Sequence, residues 1–241
     1  DGLMKRVVVT GMSVITALGD DWNEFKSALI KGENAVVTMS EWDKADGLNT
    51  RLAAPVTHFE KPNHYKRKQI RSMGRVALMS TRATERALEQ ADLLEHKSLT
   101  DGSTGVAYGS STGSTPPLLA FANMLESGSM SGVTATSYIQ MMAHTAPVNI
   151  GVFFGLKGRV ITTSSACTSG SQGIGYAYEA IKFGRQKIMV AGGAEELCIT
   201  EAAVFDTLYA TSIKNDTPKN TPRPFDKNRD GLVIGEGAGT L

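Results

Sequence analysis

Four short runs of β-branched and other apolar residues punctuate the chain: RVVVTG (6–11), TGVAYG (104–109), RVITTS (159–164) and KIMVAGG (187–193). Each is too short and too apolar for a surface helix and runs into Gly or Ser, which predicts strands buried on both faces. Between them, apolar residues recur at helical spacing over 21–32, 73–93, 116–128, around 141–155 and 169–184, each stretch ending at Gly or a polar break. In the second of these, Val76, Ala77, Met79, Ser80, Ala83, Ala87, Leu88 and Ala91 mark a core face, and Arg75, Arg82, Glu85, Arg86 and Glu89 fall outside it. The alternation predicts an α/β fold on a largely parallel sheet. Residues 33–68, with Pro55, Pro62, His58, His64 and mixed charge, break the pattern and read as a surface excursion. At the other end LVIGEGAGTL reads as a Gly-rich turn entering a further strand.

Composition narrows the function classes. Twenty-five basic residues against 24 acidic leave a net charge of +1, which excludes the long-range basic field of a nucleic-acid binder. Two cysteines, Cys167 and Cys198, make no disulfide framework and fit a reducing, cytoplasmic setting. Lys5-Arg6 followed by VVVTGMSVITALG imitates a signal peptide, but Thr10, Gly11, Ser13 and Thr16 interrupt the run and no A-x-A-like site follows. No stretch of 18 continuous apolar residues is present, so no membrane span is expected. Met4 reads as a native start, with Asp1-Gly2-Leu3 as added residues.

The strongest chemical signal is RVITTSSACTSGSQGIGYAYEAIKFG. A predicted strand runs into Cys167, and a helix opens with Gly and Ser in its first turns. At such a junction the free helix amides and macrodipole favour a thiolate. A helix terminus contributes only about 0.3 to 2 kcal/mol, so a basic partner is expected elsewhere. Gly170, Gly173 and Gly175 are costly inside a helix unless a backbone or ligand must come close. Cys198, in AEELCIT, lacks such a setting and reads as a core residue. YGSSTGS (108–114) and GEGAG (235–239) do not match the G-x-G-x-x-G context of a dinucleotide loop.

SSACTSGSQGIGYAYEAIKFGRQKIMVAGGAEE resembles the active-site region of the β-ketoacyl-[acyl carrier protein] synthases, the elongating condensing enzymes of the thiolase superfamily. RPFDKNRDGLVIGEGAG (223–239) is similar to a second signature of that family, and VVVTGMSVITALG to its opening strand. The resemblance spans residues 1–241 and implies the N-terminal half of a layered α/β/α/β/α fold built from two related halves. It implies that Cys167 holds an acyl group as a thioester, and that the carbanion from decarboxylated malonyl-carrier protein attacks it. Two histidines and a lysine complete the family's machinery in the second half. The chain reaches Leu241 before any of them, so these residues alone are expected to be inactive. His58, His64, His96 and His144 match no catalytic motif and read as surface or structural histidines.

The same resemblance puts Thr112 where side-chain size influences chain length, and Phe205 at a pocket-lining position. Lys68 and Arg71, within YKRKQIRSMGR, fall where an acidic acyl carrier protein docks; without the resemblance such a run reads as a solvated face. RVITTS is expected to pair across a dimer axis, in a homodimer or a heterodimer with a related subunit. No metal and no cofactor are expected, the phosphopantetheine arriving on the carrier protein. Two alternatives stay open: a non-catalytic partner subunit, which typically lacks this cysteine, and a cysteine hydrolase, whose G-x-C-x-G elbow S-A-C-T-S does not match.

Overall fold

The computed structural model describes residues 4–241, so Asp1-Gly2-Leu3 lie outside it. In chain order the elements are β1 (Ser13–Thr16), α1 (Trp22–Ile30), β2 (Val37–Thr38), β3 (Leu52–Ala54), α2 (Arg67–Ile70) and α3 (Arg75–Gln90). They continue with β4 (Thr104–Gly109), α4 (Pro116–Ser127), α5 (Ser137–Met141), α6 (Thr145–Phe154) and β5 (Val160–Thr163). The last are α7 (Ser169–Lys182), β6 (Ile188–Glu195), α8 (Ile199–Thr207), β7 (Ile234–Gly235) and β8 (Gly237–Thr240). The chain divides into two compact units. The first comprises the chain up to Ile15, Phe59–Glu195 and Ala238–Leu241; the second comprises Thr16–His58 and Glu196–Gly237.

The first unit is organised by a five-stranded sheet in the order β1-β8-β6-β4-β5. Its centre is parallel: Gly109 of β4 pairs with Thr163 of β5 on one side and Gly193 of β6 on the other. The carboxyl ends of three neighbouring strands are therefore level. Ala191 and Leu241 exchange both backbone hydrogen bonds (3.0 and 2.8 Å), the mark of antiparallel pairing, so β8 reverses the direction. All six residues of β4 are buried, as a central parallel strand requires. Helix α7 lays Ala177 and Ala180 on Ala107, Met189 and Ala191 of the sheet. Its glycines explain how closely it sits. A Cβ at Gly173 would come within 2.7 Å of the Ala107 carbonyl oxygen, and one at Gly193 within 2.8 Å of Gly170 Cα. Gly175 is different: it is exposed and a Cβ there meets nothing within 4 Å, so close approach does not account for it.

Three expectations need correction in this unit. The 6–11 run is not a strand buried on both faces; pairing starts at Ser13, and Val8 and Val9 are 61% and 56% exposed. Packing on α3 is the reason. Gly11 lies so near the Ala87 carbonyl that a Cβ would approach to 2.1 Å, and the Met12 N–H is donated to Gln90 Oε1 (2.7 Å), leaving the ladder to begin beyond them. β5 is an edge strand, with Val160 and Thr162 exposed rather than enclosed. Glu85, placed on the polar side of α3, is buried, because the segment preceding α2 folds over it.

In the second unit the supposed surface excursion contributes structure. β2 pairs antiparallel with β3, and β3 pairs parallel with β7 through Ala53↔Ile234. Trp42, Ala53 and Ala202 form a small core with Met39, Leu48, Leu197, Ile199 and Ile234 around it. Short strands and a 3-10 turn at Ser40–Lys44 give this segment too little periodicity to signal itself. The Asp206 carboxylate of α8 then ties three stretches together, accepting from Asn49 N (3.0 Å), Asn49 Nδ2 (3.0 Å), Thr50 N (3.0 Å) and Thr211 Oγ1 (2.9 Å). Burial pushes this carboxyl up, and those donors outweigh it and hold it below the usual carboxylate range. Glu236 acts similarly, accepting from Val56 N and Leu197 N, both at 2.9 Å. The GEGAG segment is thus two strand ends around a structural carboxylate.

Candidate active site

Cys167 is a free, exposed thiol between β5 and α7. The residue before it, Ala166, has φ +52°, a left-handed conformation that costs an L-residue about 1 to 2 kcal/mol. Such strain persists only where neighbours over-determine the backbone, and it concentrates at functional turns. The neighbours here are specific. Ser169, buried at the head of α7, donates its hydroxyl to Ala166 O (2.7 Å) and accepts from Ser165 N (2.8 Å). Its carbonyl accepts from Thr163 Oγ1 (2.7 Å), and Ser165 Oγ donates to Gln172 Oε1 one turn into the helix. Thr163 to Gln172 is thereby a closed turn that lifts Cys167 at its crest. In the sequence Ser165 and Ser169 are only small polar residues near Cys167; the clasp they form rests on hydrogen bonds three and four residues apart.

Thr112 is exposed in the loop after β4, at the same level of the sheet as the Cys167 turn, because Gly109 and Thr163 are register partners. The carboxyl ends of parallel strands are where open α/β sheets place ligands. Two predicted site residues are therefore brought to the carboxyl end of one sheet. Ser110 and Ser114 bury the ends of this loop. Gly113, at φ +73°, is needed because a Cβ there would come within 2.4 Å of the Met141 carbonyl oxygen. Glu195, the last residue of β6, accepts from Ser110 Oγ (3.1 Å) and from Ser111 N. Nothing in the sequence reading had singled out Glu195.

Lys68 lies in the four-residue α2 and Arg71 caps it; both are exposed, as are Lys66 and Arg67. This short basic segment is clamped at either end. Before it, Tyr65 OH donates to Glu85 Oε2 (2.8 Å) and packs on Phe153 (centroids 4.7 Å apart), while His64 Nε2 lies 2.6 Å from Glu85 Oε1. After it, Ser72 Oγ donates to Asn149 Oδ1 (2.7 Å). Arg82 completes the cluster at 2.6 Å from Glu85. Burial pushes the Glu85 carboxyl up, but hydrogen bonds from His64, Arg82 and Tyr65 prevail and hold it below its ordinary value. Burial and the Glu85 carboxylate push the Tyr65 phenol upward. Arg71 also lines an open groove of about 660 Å³ with Pro117, Leu119, Asn123, Thr136 and Gln140.

Phe205 is a half-buried residue of α8, in the second unit. Cys198 departs from its expectation: it is half-exposed rather than core, caps the N-terminus of α8, and lies with Sγ 3.0 Å from Thr200 Oγ1. His64 and His96 have structural partners, the latter accepting from Ser98 N (3.2 Å) at the cap of a 3-10 turn. Among the described residues no helix is long and apolar enough to cross a membrane.

Comparison with known proteins places this architecture. The family model for the β-ketoacyl synthase N-terminal domain matches residues 4–241. The 3-oxoacyl-[acyl-carrier-protein] synthase 2 of Vibrio harveyi is 32% identical over 238 residues, 98% of this chain and 57% of that protein. The crystal structure of a β-ketoacyl synthase from Burkholderia phymatum STM815 superposes with a TM-score of 0.96 at 59% identity, covering 99% of this chain and 58% of that one. A type II polyketide ketosynthase in complex with its acyl-carrier protein, 24% identical, shares the fold with a TM-score of 0.76 over 99% of this chain and 57% of its own. The chain thus spans somewhat more than half the length of the relatives it matches, and the thiolase-like layered α/β fold is that of the ketosynthases. With 238 of its residues matched by the family model, the chain belongs to the β-ketoacyl synthases, as their N-terminal domain.

Proposed function

We propose that this domain supplies the acyl-holding half of a decarboxylative condensing enzyme that uses acyl carrier protein, with Cys167 as the nucleophile. The observation that carries the reading is the exposed Cys167 raised on a left-handed residue at the head of α7, clasped by Ser165 and Ser169. The thiolate attacks the carbonyl of an acyl thioester, the carrier's thiol leaves with the proton, and the acyl group stays on Sγ. Malonyl-carrier protein then loses CO2, and the carbon so freed attacks the Cys167 thioester. The Cys167 thiolate departs, and 3-oxoacyl-carrier protein is released. Helix amides at the head of α7 favour the Cys167 thiolate, which is the attacking group in the first step and the leaving group in the condensation. Acid-base groups and part of the oxyanion site belong, by family resemblance, to the half that follows.

Thr112 serves as a wall of the acyl pocket and Lys68 and Arg71 as contacts for an acidic carrier protein, while Phe205 keeps the pocket-lining role that the resemblance implies. The exposed edge of β5 is the surface through which a second copy, or a related subunit, pairs. The relatives' names and the carrier-protein complex of the structural neighbour support this reading. Kinetics of the full-length protein test it. Acyl transfer that precedes malonyl binding gives ping-pong kinetics, with one CO2 released per 3-oxoacyl product. A sequential pattern with no acylated protein would overturn the reading.

A further inference from the structure

We propose that Glu195 is a positioning residue that sets acyl-chain selectivity by fixing the loop that carries Thr112. The inference deepens the reading above and rests on Thr112 being a pocket wall. The loop from Ser110 to Ser114 has no ladder or helix of its own to hold it. Its far end is anchored by Ser114, whose N–H is donated to Gln140 O (2.8 Å) and whose hydroxyl accepts from Val76 N (3.1 Å). Its near end has Glu195. One carboxylate oxygen accepts from Ser111 N and the other from Ser110 Oγ (3.1 Å), while Ser110 Oγ in turn accepts from Gly113 N (3.0 Å). A single carboxylate on the last residue of a central strand therefore fixes the backbone on both sides of Thr112, directly at Ser111 and through Ser110 at Gly113.

The chemistry calls for a carboxylate. Ser110 Oγ must keep a lone pair for Gly113 N, so its proton needs an acceptor, and Ser111 N needs another. Two carboxylate oxygens serve both. An amide at this position offers one acceptor and turns an NH2 toward a hydroxyl whose proton is then orphaned. Chained hydrogen bonds of this kind strengthen one another, so losing the first loosens the rest. A loosened loop lets Thr112 retreat before a long acyl chain, and discrimination between short and long primers falls.

The test measures acyl transfer to Cys167 in the full-length protein across acyl-carrier proteins of increasing chain length, with Thr112→Phe as the reference for the pocket reading. Glu195→Ala and Ser110→Ala should each reduce the short-to-long rate ratio by about three- to tenfold, the span set by one or two such hydrogen bonds. Glu195→Gln, which keeps one acceptor, should fall between them and the parent. A shifted profile in Thr112→Phe beside unchanged ratios in the Glu195 and Ser110 variants overturns the proposal alone. An unchanged profile in Thr112→Phe overturns the pocket reading and the proposal with it. Should Glu195→Ala fail to fold, Glu195→Gln and Ser110→Ala decide the matter by the same ratio.

Discussion

The chain holds two cysteines, and both stand where a strand gives way to a helix. Cys198 caps α8 in an ordinary extended conformation (φ −139°, ψ 139°), half-exposed, with its sulfur against Thr200 Oγ1. Cys167 follows a left-handed alanine, is exposed, and heads a helix whose Gly170 and Gly173 pack against the strand backbones. A cysteine at a helix start is thus common to both, and position alone does not mark a nucleophile. What separates them is over-determination: a strained residue clasped by the Ser169 hydroxyl and a helix seated too close for side chains.

The largest expected effect tests that separation. In the full-length enzyme, Cys167→Ala should lower condensation by at least about 10³-fold, whereas Cys198→Ala should stay within about twofold. Comparable losses in both would erase the contrast. Next in size is the seat of α7. Gly173→Ala forces a Cβ against the Ala107 carbonyl and should destabilise the protein by about 1 to 3 kcal/mol, read from denaturant midpoints. Gly175→Ala, with open space around its Cβ, should instead stabilise by up to about 1 kcal/mol. Equal effects at the two positions would mean that close packing does not seat the helix.

A smaller effect belongs to the basic segment. Reversing charge at Lys68 and Arg71 should raise KM for carrier-protein substrates by about five- to tenfold, spare small thioesters, and fade with added salt, since exposed charges are screened within about 8 Å. Equal losses on both substrate types would point to damage of α2 itself. The smallest concerns pH. Because Glu85 is held below its ordinary value in the folded protein, the stability it contributes is present above the usual carboxylate range and is lost as pH falls through its depressed folded value. Glu85→Gln should flatten acid unfolding in that window, and an unchanged slope would show that the cluster with His64, Tyr65 and Arg82 carries no such linkage.

Much of this was legible in the residues. β4 and β6 and helices α3, α4, α6 and α7 announced themselves because long buried runs and strong periodicity leave little room for other pairings. The Cys167 turn was legible too, since strand, cysteine and glycine-rich helix are contiguous. In the second unit α1 was legible from the 21–32 spacing, but the small sheet was not: β2 has two residues and β3 three, and their core depends on Ala202 and Ile234, far away in sequence. Val7-Val8-Val9 announced an apolar segment but not its pairing, which Gly11 against Ala87 shifts to Ser13. The exposure of β5 was hidden for a related reason, as an edge strand and a central one share the same apolar composition. Glu85 and Glu195 escaped because a lone carboxylate reads as solvent-facing until its donors, tens of residues distant, are brought to it.

The most direct measurement is to map the covalent adduct after the full-length protein is incubated with acyl-carrier protein in the absence of malonyl donor. Proteolysis and mass spectrometry should place the acyl thioester on the peptide containing Cys167, with Cys198 unmodified. An acyl group on Cys198, or transfer without any acylated cysteine, would contradict the account.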